Sequence, residues 1–494
     1  MAGIITGCGG GGASAPDPVD PTPYSTSPPT TTPEGYFQDY TEYMMDDPWS
    51  VISQACNDSR FRTTPEAFGM IPVHLNDDNY MDFISHYWCS THPGTVIADV
   101  PTPDVLVAHV SDGYGNWYIE NYRIFGEDLP RIGGASRKWT KGDFNGDGYD
   151  DIAFAVNWED MRANDLQGGR WDTQQTVLLS TGDYGYTIER VGQRSMGHAV
   201  GAKRNALGYD DVIFAGMLGT HFQAFRLSVN TGEWQDVTDE YPGNGDWAID
   251  IQVVSDNQIL AGHCEDSACG LGLFEQTQQG WTITDKILAG KPVRVFIDGQ
   301  ERSVHKVGNH YTVGIGTDEM CRLDNYNSTG TLAVAVELWG ESFKEGIVVE
   351  EGYHYTQQDL ENYRNLLVFE IVDGKLVGRH PQEPAHRYNA FFMECVDLDS
   401  DGDTDVFIQK MNRDDTYQTD PLIYMNYGGE LVVYEVQDED HFPDHTEVKS
   451  QQLWDGVSRL VDMDGDGIMD LITYTYHTDL FSNLEVYRGL KPLD

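Results

Sequence analysis

The stretch Asp462-Met463-Asp464-Gly465-Asp466-Gly467-Ile468-Met469-Asp470 runs directly into an apolar segment, residues 471–476. Its carboxylates fall at positions 1, 3, 5 and 9 of a loop that has glycine at position 6. A hard cation such as Ca²⁺ takes about six to eight oxygen ligands from carboxylates, backbone carbonyls and water. Alternate residues of a tight loop converge on one point. We therefore expect a calcium site, with the carbonyl of Ile468 as a further ligand.

The loop does not match the helix-flanked calcium loop of an EF-hand. That loop needs a bidentate glutamate at position 12, and Thr473 occupies this position here. The segment after the loop is apolar and rich in β-branched and aromatic residues, which favours a strand. The sequence therefore predicts a calcium-binding β-hairpin.

The pattern occurs twice more, at residues 143–151 and 397–405, each time before an apolar run. Position 12 is Phe154 in one and Ile408 in the other, so neither is an EF-hand loop. Solvated acidic turns are the alternative explanation, and three copies make it weaker. The expected ligands of the three calcium ions are Asp143, Asn145, Asp147, Tyr149 and Asp151; Asp397, Asp399, Asp401, Asp403 and Asp405; and Asp462, Asp464, Asp466, Ile468 and Asp470.

These loops resemble those of FG-GAP or VCBS-type repeats, the calcium-binding blades of integrin-α-like β-propellers. The resemblance implies an all-β ring of four-stranded blades, with calcium between the first and second strands of a blade. We expect a seven-bladed β-propeller, or eight blades if the hairpins between Val293 and Ile315 form another. Residues 60–75 or 80–95 are expected to supply the outer strand that closes the ring. The expected divisions are a tether over 1–35, a cap or closing segment over 36–95 and the propeller over 96–494.

Two further loops keep the frame of the pattern, which is its length and its place before an apolar run, but lack carboxylates at positions 1, 3 and 5. Lys203, Asn205 and Leu207 occupy positions 1, 3 and 5 before Asp211, so an ammonium group is expected in place of the metal. Leu323, Asn325, Asn327 and Thr331 form a similar relic. Neither loop is expected to bind calcium.

The charge of the chain limits its partners. With 31 basic and 80 acidic residues, the formal net charge is −49. Phosphate groups are bound by basic patches, so nucleic acid and anionic membrane surfaces are excluded as partners. The acidity suits a soluble extracellular protein from a salty habitat, where salt screens the repulsion.

The first residues indicate a compartment. Ile5-Thr6-Gly7-Cys8 resembles a bacterial lipobox, and a run rich in glycine, proline and threonine follows as a flexible tether. The apolar stretch before Cys8 is too short for a signal peptide. We expect a trimmed lipoprotein at the bacterial cell surface, extracellular or anchored to the outer membrane through a lipid on Cys8. The alternative is an ordinary cysteine in a glycine-rich tail.

Six further cysteines are present. Cys56 with Cys89, and Cys264 with Cys269, are expected to form disulfides, as suits an oxidising compartment. Cys321 and Cys395 each lie two residues before position 1 of a loop. We expect these two as packed thiols.

Long insertions between second and third strands should project from the face opposite the calcium loops. They cover residues 157–175, 340–365 and 410–417 and combine aromatic residues with arginine and aspartate. Such residues suit a glycan or protein ligand, through stacking and directional hydrogen bonds. Simple solvated loops are the alternative. The favoured function is a surface protein that uses this face for binding, adhesion or assembly.

The other hypothesis is an enzyme. Some propellers are polysaccharide lyases, in which a histidine or tyrosine acts as base and an arginine neutralises the uronate carboxylate. Four histidines end predicted second strands and would ring the face opposite the calcium: His109, His221, His263 and His477. The candidate catalytic residues are His109, His221, Tyr355, Arg162 and Arg413. No cofactor other than calcium is expected.

Overall fold

A computed structural model gives the fold of the chain. The residues that it describes are 37–39, 44–57, 66–89, 104–132, 138–156, 173–195, 197, 199–215, 222–242, 250–265, 268–288, 293–297, 300–306, 320–324, 326, 332–337, 347–349, 366–379, 389–399, 401–411, 422–435, 458–474 and 484–489.

Strands dominate the described residues. In the first half they are β1 (Phe37–Asp39), β2 (Met44–Met45), β3 (Glu66–Val73), β4 (Asp82–Trp88), β5 (Asp104–Ser111), β6 (Asn116–Ile119), β7 (Arg131–Ile132), β8 (Lys138–Gly142), β9 (Asp151–Ala155), β10 (Thr173–Ser180), β11 (Tyr186–Ser195), β12 (Ala199–Arg204), β13 (Asp210–Ala215), β14 (Gln223–Ser228) and β15 (Glu233–Asp236). They continue as β16 (Ile251–Ser255), β17 (Gln258–Glu265), β18 (Ala268–Thr277), β19 (Gly280–Leu288), β20 (Val293–Ile297), β21 (Gln300–Lys306), β22 (Met320–Leu323), β23 (Ala333–Glu337), β24 (Ile347–Val349), β25 (Leu366–Val372), β26 (Lys375–Arg379), β27 (Asn389–Val396), β28 (Asp405–Met411), β29 (Leu422–Asn426), β30 (Leu431–Glu435), β31 (Ser458–Val461), β32 (Asp470–Tyr474) and β33 (Leu484–Gly489).

Helices are short. They are α1 (Trp49–Ala55), α2 (Asn121–Phe125) and a 3₁₀ turn at Thr238–Glu240. Within the described ranges, no helix has the length and apolar character needed to cross a membrane.

The strands of the described residues pair into seven sheets, and neighbours within each are mostly antiparallel. In chain order the sheets run β3-β4-β5-β6-β2, β8-β9-β10-β11, β12-β13-β14-β15, β16-β17-β18-β19, a seven-stranded sheet that starts β22-β23-β25-β26, β27-β28-β29-β30, and β31-β32-β33-β1. The inner strands are apolar because they are covered on both faces, as in Asp151–Ala155, where every residue is buried.

The sheets follow one another around an axis. First strands of successive sheets contact each other, β8 with β12, then β16, β22, β27 and β31, and β31 contacts β3 of the first sheet. Hydrophobic clusters fill the space between sheets; one joins Ile84 of the first sheet to Phe154 of the second. Another joins Ile472 of the last sheet to Phe83 of the first, which closes the ring. The expected all-β propeller is confirmed.

Polar contacts between first strands supplement the apolar packing. Lys138 Nζ lies 3.1 Å from Asp250 Oδ2, which links the second sheet to the fourth. Arg459 Nε donates to the carbonyl of Met70 at 3.1 Å, which links the last sheet to the first. These groups are buried, so each depends on its partner to offset the cost of desolvation.

The N-terminal region closes the ring, but through a different segment from the one expected. Phe37–Asp39 pairs with Leu484–Gly489 as the outer strand of the last sheet. Residues 60–75 and 80–95 were expected there; instead Glu66–Val73 and Asp82–Trp88 are the first two strands of the first sheet. Consecutive side chains of those two strands are buried on both faces, as at Asp82–Tyr87, whereas an outer edge strand would leave many of them exposed.

The alternative of an eighth blade is wrong. Val293–Ile297 pairs in parallel with Lys375–Arg379, so this hairpin extends the sheet that begins with Met320–Leu323. It adds strands to an existing sheet and makes no separate one among the described residues.

Two disulfides link elements that are distant in sequence. Cys56 is bonded to Cys89, as expected, and ties the end of α1 to the first sheet. Cys321 is bonded to Cys395, so the expectation of packed thiols is wrong. Their strands β22 and β27 are neighbouring first strands, which places the two Cα atoms 5.6 Å apart, within bonding range. Cys264 and Cys269 are register partners on β17 and β18.

His109 is buried in the first sheet. Its Nε2 lies 3.2 Å from Ser85 Oγ, and its ring stacks on Phe83 at 4.5 Å. Desolvation lowers the pKa of His109 from 6.5 to about 3, so the ring stays neutral in the folded protein. In the unfolded chain the ring takes up a proton as the pH falls through about 6.5. The unfolded state therefore binds more protons between these pKa values, and stability falls as the pH is lowered.

We predict that His109→Gln weakens the acid sensitivity of the fold. Below about pH 6.5 the wild-type protein should lose about 1.4 kcal/mol per pH unit through this histidine, and the variant should lose none of it. Melting temperatures of both proteins at several pH values between about 7.5 and 5 measure this. As the pH falls, the melting temperature of the variant should rise relative to that of the wild type. A difference in melting temperature that does not change with pH would contradict the prediction.

Candidate metal centre

A buried aspartate at position 9 joins each candidate metal-binding loop to its sheet. Asp151 Oδ2 accepts hydrogen bonds from the backbone N–H of Phe144 at 2.6 Å and of Asn145 at 3.1 Å. Asp151 Oδ1 accepts from the N–H of Ser180, at the end of the third strand, at 2.6 Å. The carboxylate therefore holds the start of the loop against the far end of the hairpin beside it.

The same contacts recur in the loop at residues 397–405. Asp405 accepts from the N–H of Leu398 and from the N–H of Asn426, both at 2.8 Å. In the loop at 462–470, Asp470 accepts from the N–H of Met463 at 2.8 Å. The hydrogen bond from the loop's second residue to the position 9 aspartate therefore occurs in all three loops.

Glycine at position 6 makes the turn possible. Gly148, Gly402 and Gly467 have φ angles of +84°, +98° and +86°, a region that other residues adopt at a cost. Side-chain oxygens at position 5 then accept the N–H of position 7, as Asp466 Oδ1 does from Ile468 at 2.9 Å. The expected role of glycine in these loops is confirmed.

Two loops bring three carboxylates together. One oxygen from each of Asp397, Asp399 and Asp405 lies within 4.8 Å of the others, and the same holds for Asp462, Asp464 and Asp470. These are positions 1, 3 and 9; the position 5 residues Asp401 and Asp466 are not members of either cluster. The carboxylate at position 1 also accepts loop N–H groups, as Asp462 does from Gly465 and Gly467.

The loop at 143–151 has fewer carboxylates but a suitable oxygen. Asp143 Oδ1 is buried and accepts no hydrogen bond from the described residues. Asn145 donates its amide to Asp147 Oδ2 at 2.9 Å and to the carbonyl of Ser180 at 3.0 Å. Tyr149 is exposed at position 7, where its carbonyl was expected as a ligand. The structure therefore brings fewer acidic oxygens together here than in the other two loops.

The pKa values of these carboxyl groups show that their ionised form is unfavourable without a cation. Burial raises the pKa of Asp405 to about 8, and burial with the nearby Asp401 raises that of Asp399 to about 6. Burial likewise raises the pKa of Asp151 to about 7. A divalent cation would reverse these shifts, because it favours the ionised form of every carboxylate around it.

The donor atoms suit a hard cation. All of the clustered groups offer oxygen, which is the ligand type of Ca²⁺, whereas zinc sites use nitrogen and sulfur more often. Asp403 supplies a further candidate: its Oδ2 accepts from Gly428 at 3.1 Å, and its buried Oδ1 accepts no hydrogen bond from the described residues. The residues present therefore fit calcium.

A further loop of the same frame, at residues 74–82, was missed by the sequence analysis. Asp82 accepts from the N–H of Leu75 at 2.5 Å and of Ser111 at 2.6 Å. Asn76 donates to Asp78 Oδ2 at 2.8 Å and to the carbonyl of Ser111 at 2.7 Å, which repeats the contacts of Asn145. The spacing Asn-x-Asp-x-Tyr-x-Asp at 76–82 equals that at 145–151 and was the available signal. His74 at position 1 and Asn79 at position 6 concealed it.

In the loop at 203–211 an arginine takes the place expected for a cation. Arg226, on the third strand, contacts both oxygens of Asp211, with Nε at 2.8 Å from Oδ1 and Nη2 at 2.7 Å from Oδ2. Tyr241 donates its hydroxyl to Asp211 Oδ2 at 2.6 Å. The Lys203 ammonium, expected at this place, instead lies 5.7 Å from the ring of Trp281. A side chain of the protein thus neutralises the buried carboxylate.

We predict that Arg226→Ala destabilises the protein by about 2–4 kcal/mol, because it leaves the carboxylate of Asp211 buried without its cation. Arg226→Lys should recover only part of this, since one ammonium cannot make the two-pronged contact. Chemical denaturation measures both. Arg204→Ala is the matched control: its half-exposed guanidinium lies 3.7 Å from Asp210, and the loss should be below about 1 kcal/mol. Equal losses in Arg226→Ala and Arg204→Ala would refute the role of Arg226.

The second relic loop is only partly described. Leu323, at its first position, is buried and has no side-chain oxygen. Asn325, Asn327 and Thr331 lie outside the described residues. That this loop holds no calcium stays a prediction.

The candidate catalytic residues are not brought together in the described part. His221, Tyr355, Arg162 and Arg413 lie outside it, as do His477 and most of the three insertions. His263 lies near the end of β17, at the far side of its sheet from the turn at 256–257. His109 was also expected on the face opposite the calcium loops, and this expectation is wrong. Its register partner Phe83 directly follows Asp82, the last residue of the loop at 74–82, so His109 lies on the same side of the sheet as that loop. Fully buried and neutral, His109 does not suit a base that contacts a polymer.

Comparisons with known proteins add little to this picture. No protein-family model and no curated protein sequence matches the chain. Among solved structures, a crystal structure of the exotype rhamnogalacturonan lyase YesX is similar, with 12% sequence identity and a TM-score of 0.38. The match covers 86% of this chain, which spans 65% of the length of the lyase. A likeness this distant supports no conclusion about activity.

Proposed function

We propose that the chain is a calcium-stabilised extracellular β-propeller of the bacterial cell surface that binds a glycan or protein partner. Each of its seven sheets is one blade in this proposal, and the loops resemble those of FG-GAP or VCBS-type repeats. The observation that carries it is the pair of three-carboxylate clusters on loops of one common frame. Three calcium ions are proposed, at residues 143–151, 397–405 and 462–470.

The proposed role of calcium is structural. Each loop joins the first and second strands of its sheet, so a cation bound there fixes the turn of the inner hairpin. Binding to the folded state alone raises the free energy of unfolding by linkage. The metal would therefore stiffen a surface used for binding without contacting the ligand itself.

The proposed location rests on two features. Disulfides persist in oxidising compartments, and the structure contains Cys56–Cys89 and Cys321–Cys395. The lipobox-like start at Cys8 is the basis for proposing attachment to the outer membrane, with no other membrane contact. The ligand is proposed to bind on the face opposite the calcium loops. With a net charge of −49, nucleic acid is not proposed as a partner.

The polysaccharide lyase remains the alternative, but no described residue favours it. The experiment that separates the two is incubation with uronate-containing polysaccharides while the ultraviolet absorbance of the unsaturated product is followed. A surface-binding protein gives no increase; a steady increase that depends on enzyme concentration would establish the lyase instead.

We predict three bound calcium ions in dialysed protein and two in Asp464→Ala, measured by elemental analysis. The melting temperature of Asp464→Ala should fall, because the last loop loses a carboxylate from its cluster and its cation. Asp239→Ala is the matched control: it removes one exposed carboxylate from the 3₁₀ turn, outside every loop. It should keep three ions and the wild-type melting temperature. No more than one calcium in the wild-type protein would overturn the proposal.

A further inference from the structure

A groove of about 420 Å³ opens at the outer edge of the first sheet, between α1 and α2. Its floor is apolar and partly buried, formed by Val51, Ile119 and Leu129. The volume falls within the range of small-molecule binding sites, about 300–1,000 Å³. The groove belongs to none of the metal-binding loops.

The wall formed by α2 is fixed by a buried side chain. Asn121 accepts the N–H of Ala108 at 2.8 Å, and its amide donates to the carbonyls of Leu106 at 3.1 Å and Asp128 at 3.0 Å. One asparagine thus holds the helix, the central strand β5 and the segment that carries Asp128. Ligand binding here therefore requires little ordering of the protein, which lowers its entropic cost.

The wall formed by α1 is fixed as firmly. The helix is followed at once by Cys56, which is bonded to Cys89. Arg131 Nη2 donates to the carbonyl of Ala55, the last residue of α1, at 2.7 Å. Both walls are therefore tied to the first sheet by contacts that leave the lining side chains accessible.

The lining combines an exposed aromatic ring with oxygen acceptors. Tyr122 is 70% exposed. Glu120, Asp128, Gln54 and Ser50 line the same groove. The single cation of the lining, Arg123, is already engaged, since its Nε lies 3.2 Å from Glu120 Oε2 and its Nη2 donates to the carbonyl of Leu75 at 2.9 Å. The groove therefore offers more acceptors than donors.

We propose that this groove binds the neutral sugar residues of a glycan. A tyrosine ring offers an apolar plane to the C–H groups of a sugar, and its hydroxyl offers a hydrogen bond. Sugar hydroxyls donate to the carboxylates of Glu120 and Asp128 and to the amide oxygen of Gln54. An acidic sugar would face these carboxylates on a chain of net charge −49 and is disfavoured. For a cationic peptide the groove offers Asp128, while Glu120 is already paired with Arg123; hexalysine in the test below therefore checks this class.

Aromatic surface continues beside the groove. Tyr118, adjacent to Ile119 of the groove floor, is 47% exposed, and Tyr114 in the preceding turn is 87% exposed. These tyrosines therefore lie in the turn before β6, on β6 and on α2, which follows β6 directly. They suit a ligand longer than the groove, which is what a polysaccharide chain provides.

The groove is a second glycan-binding place, separate from the loop face opposite the calcium where the ligand above is proposed to bind, and it takes from the proposed function only the choice of glycan. Because the two places are separate, either can fail without the other.

The test is calorimetric titration of the calcium-loaded protein with neutral hexasaccharides of glucose, mannose and xylose, with oligogalacturonate and hexalysine for comparison. We expect at least one neutral hexasaccharide to bind. Tyr122→Ala should weaken that binding at least tenfold, and Gln54→Ala several-fold. Leu207→Ala is the control, because it removes a 66% exposed apolar side chain on the loop at 203–211. It should bind as the wild type does, and all variants should keep the wild-type melting temperature.

The other outcomes overturn the inference in distinguishable ways. If no neutral hexasaccharide binds, or if oligogalacturonate or hexalysine binds in its place, the ligand class is wrong. If a neutral sugar binds the wild type and Tyr122→Ala equally, the groove is not the site, while the proposed glycan-binding function stands.

Discussion

The structure of the described loops depends on one interaction, a buried aspartate that accepts backbone N–H groups from two places at once. In Asp82, Asp151 and Asp405 one oxygen takes the N–H of the loop's second residue and the other takes an N–H at the end of the third strand. Such a carboxylate satisfies groups that the sheet leaves unpaired where its strands end. It also places a negative charge inside the protein, which is expensive unless a cation lies close.

The loops meet this electrostatic cost in different ways. At 397–405 and 462–470 the neighbouring carboxylates converge, an arrangement that an added cation would stabilise. At 203–211 the guanidinium of Arg226 lies on both oxygens of Asp211. At 74–82 the loop has Asn76 and His74 where carboxylates would otherwise stand. The same backbone frame therefore occurs with a cluster of carboxylates that could hold a metal ion, with an internal cation and with reduced negative charge.

The sequence predicts the propeller and the three acidic loops because glycine and aspartate recur at fixed spacing. It conceals the loop at 74–82, since its backbone reaches the same hydrogen bonds with no residue at positive φ and so needs no glycine. Arg226 is equally hidden, because it lies 15 residues after Asp211 and meets it only once the third strand pairs. The bond between Cys321 and Cys395 depends on the contact of two first strands, which spacing along the chain does not reveal. Strand pairing decides these contacts, and local pattern does not.

We propose that the folded hairpins around these loops require a cation, which is calcium in the loops at 397–405 and 462–470 and Arg226 in the loop at 203–211. Hydrogen exchange of the backbone amides, with and without a calcium chelator, tests it most directly. Protection should fall in Asn389–Met411 and Ser458–Tyr474, the inner hairpins of the last two sheets, and should remain in Ala199–Ala215, where Arg226 is the cation. Equal protection of all three segments with and without chelator would contradict the account.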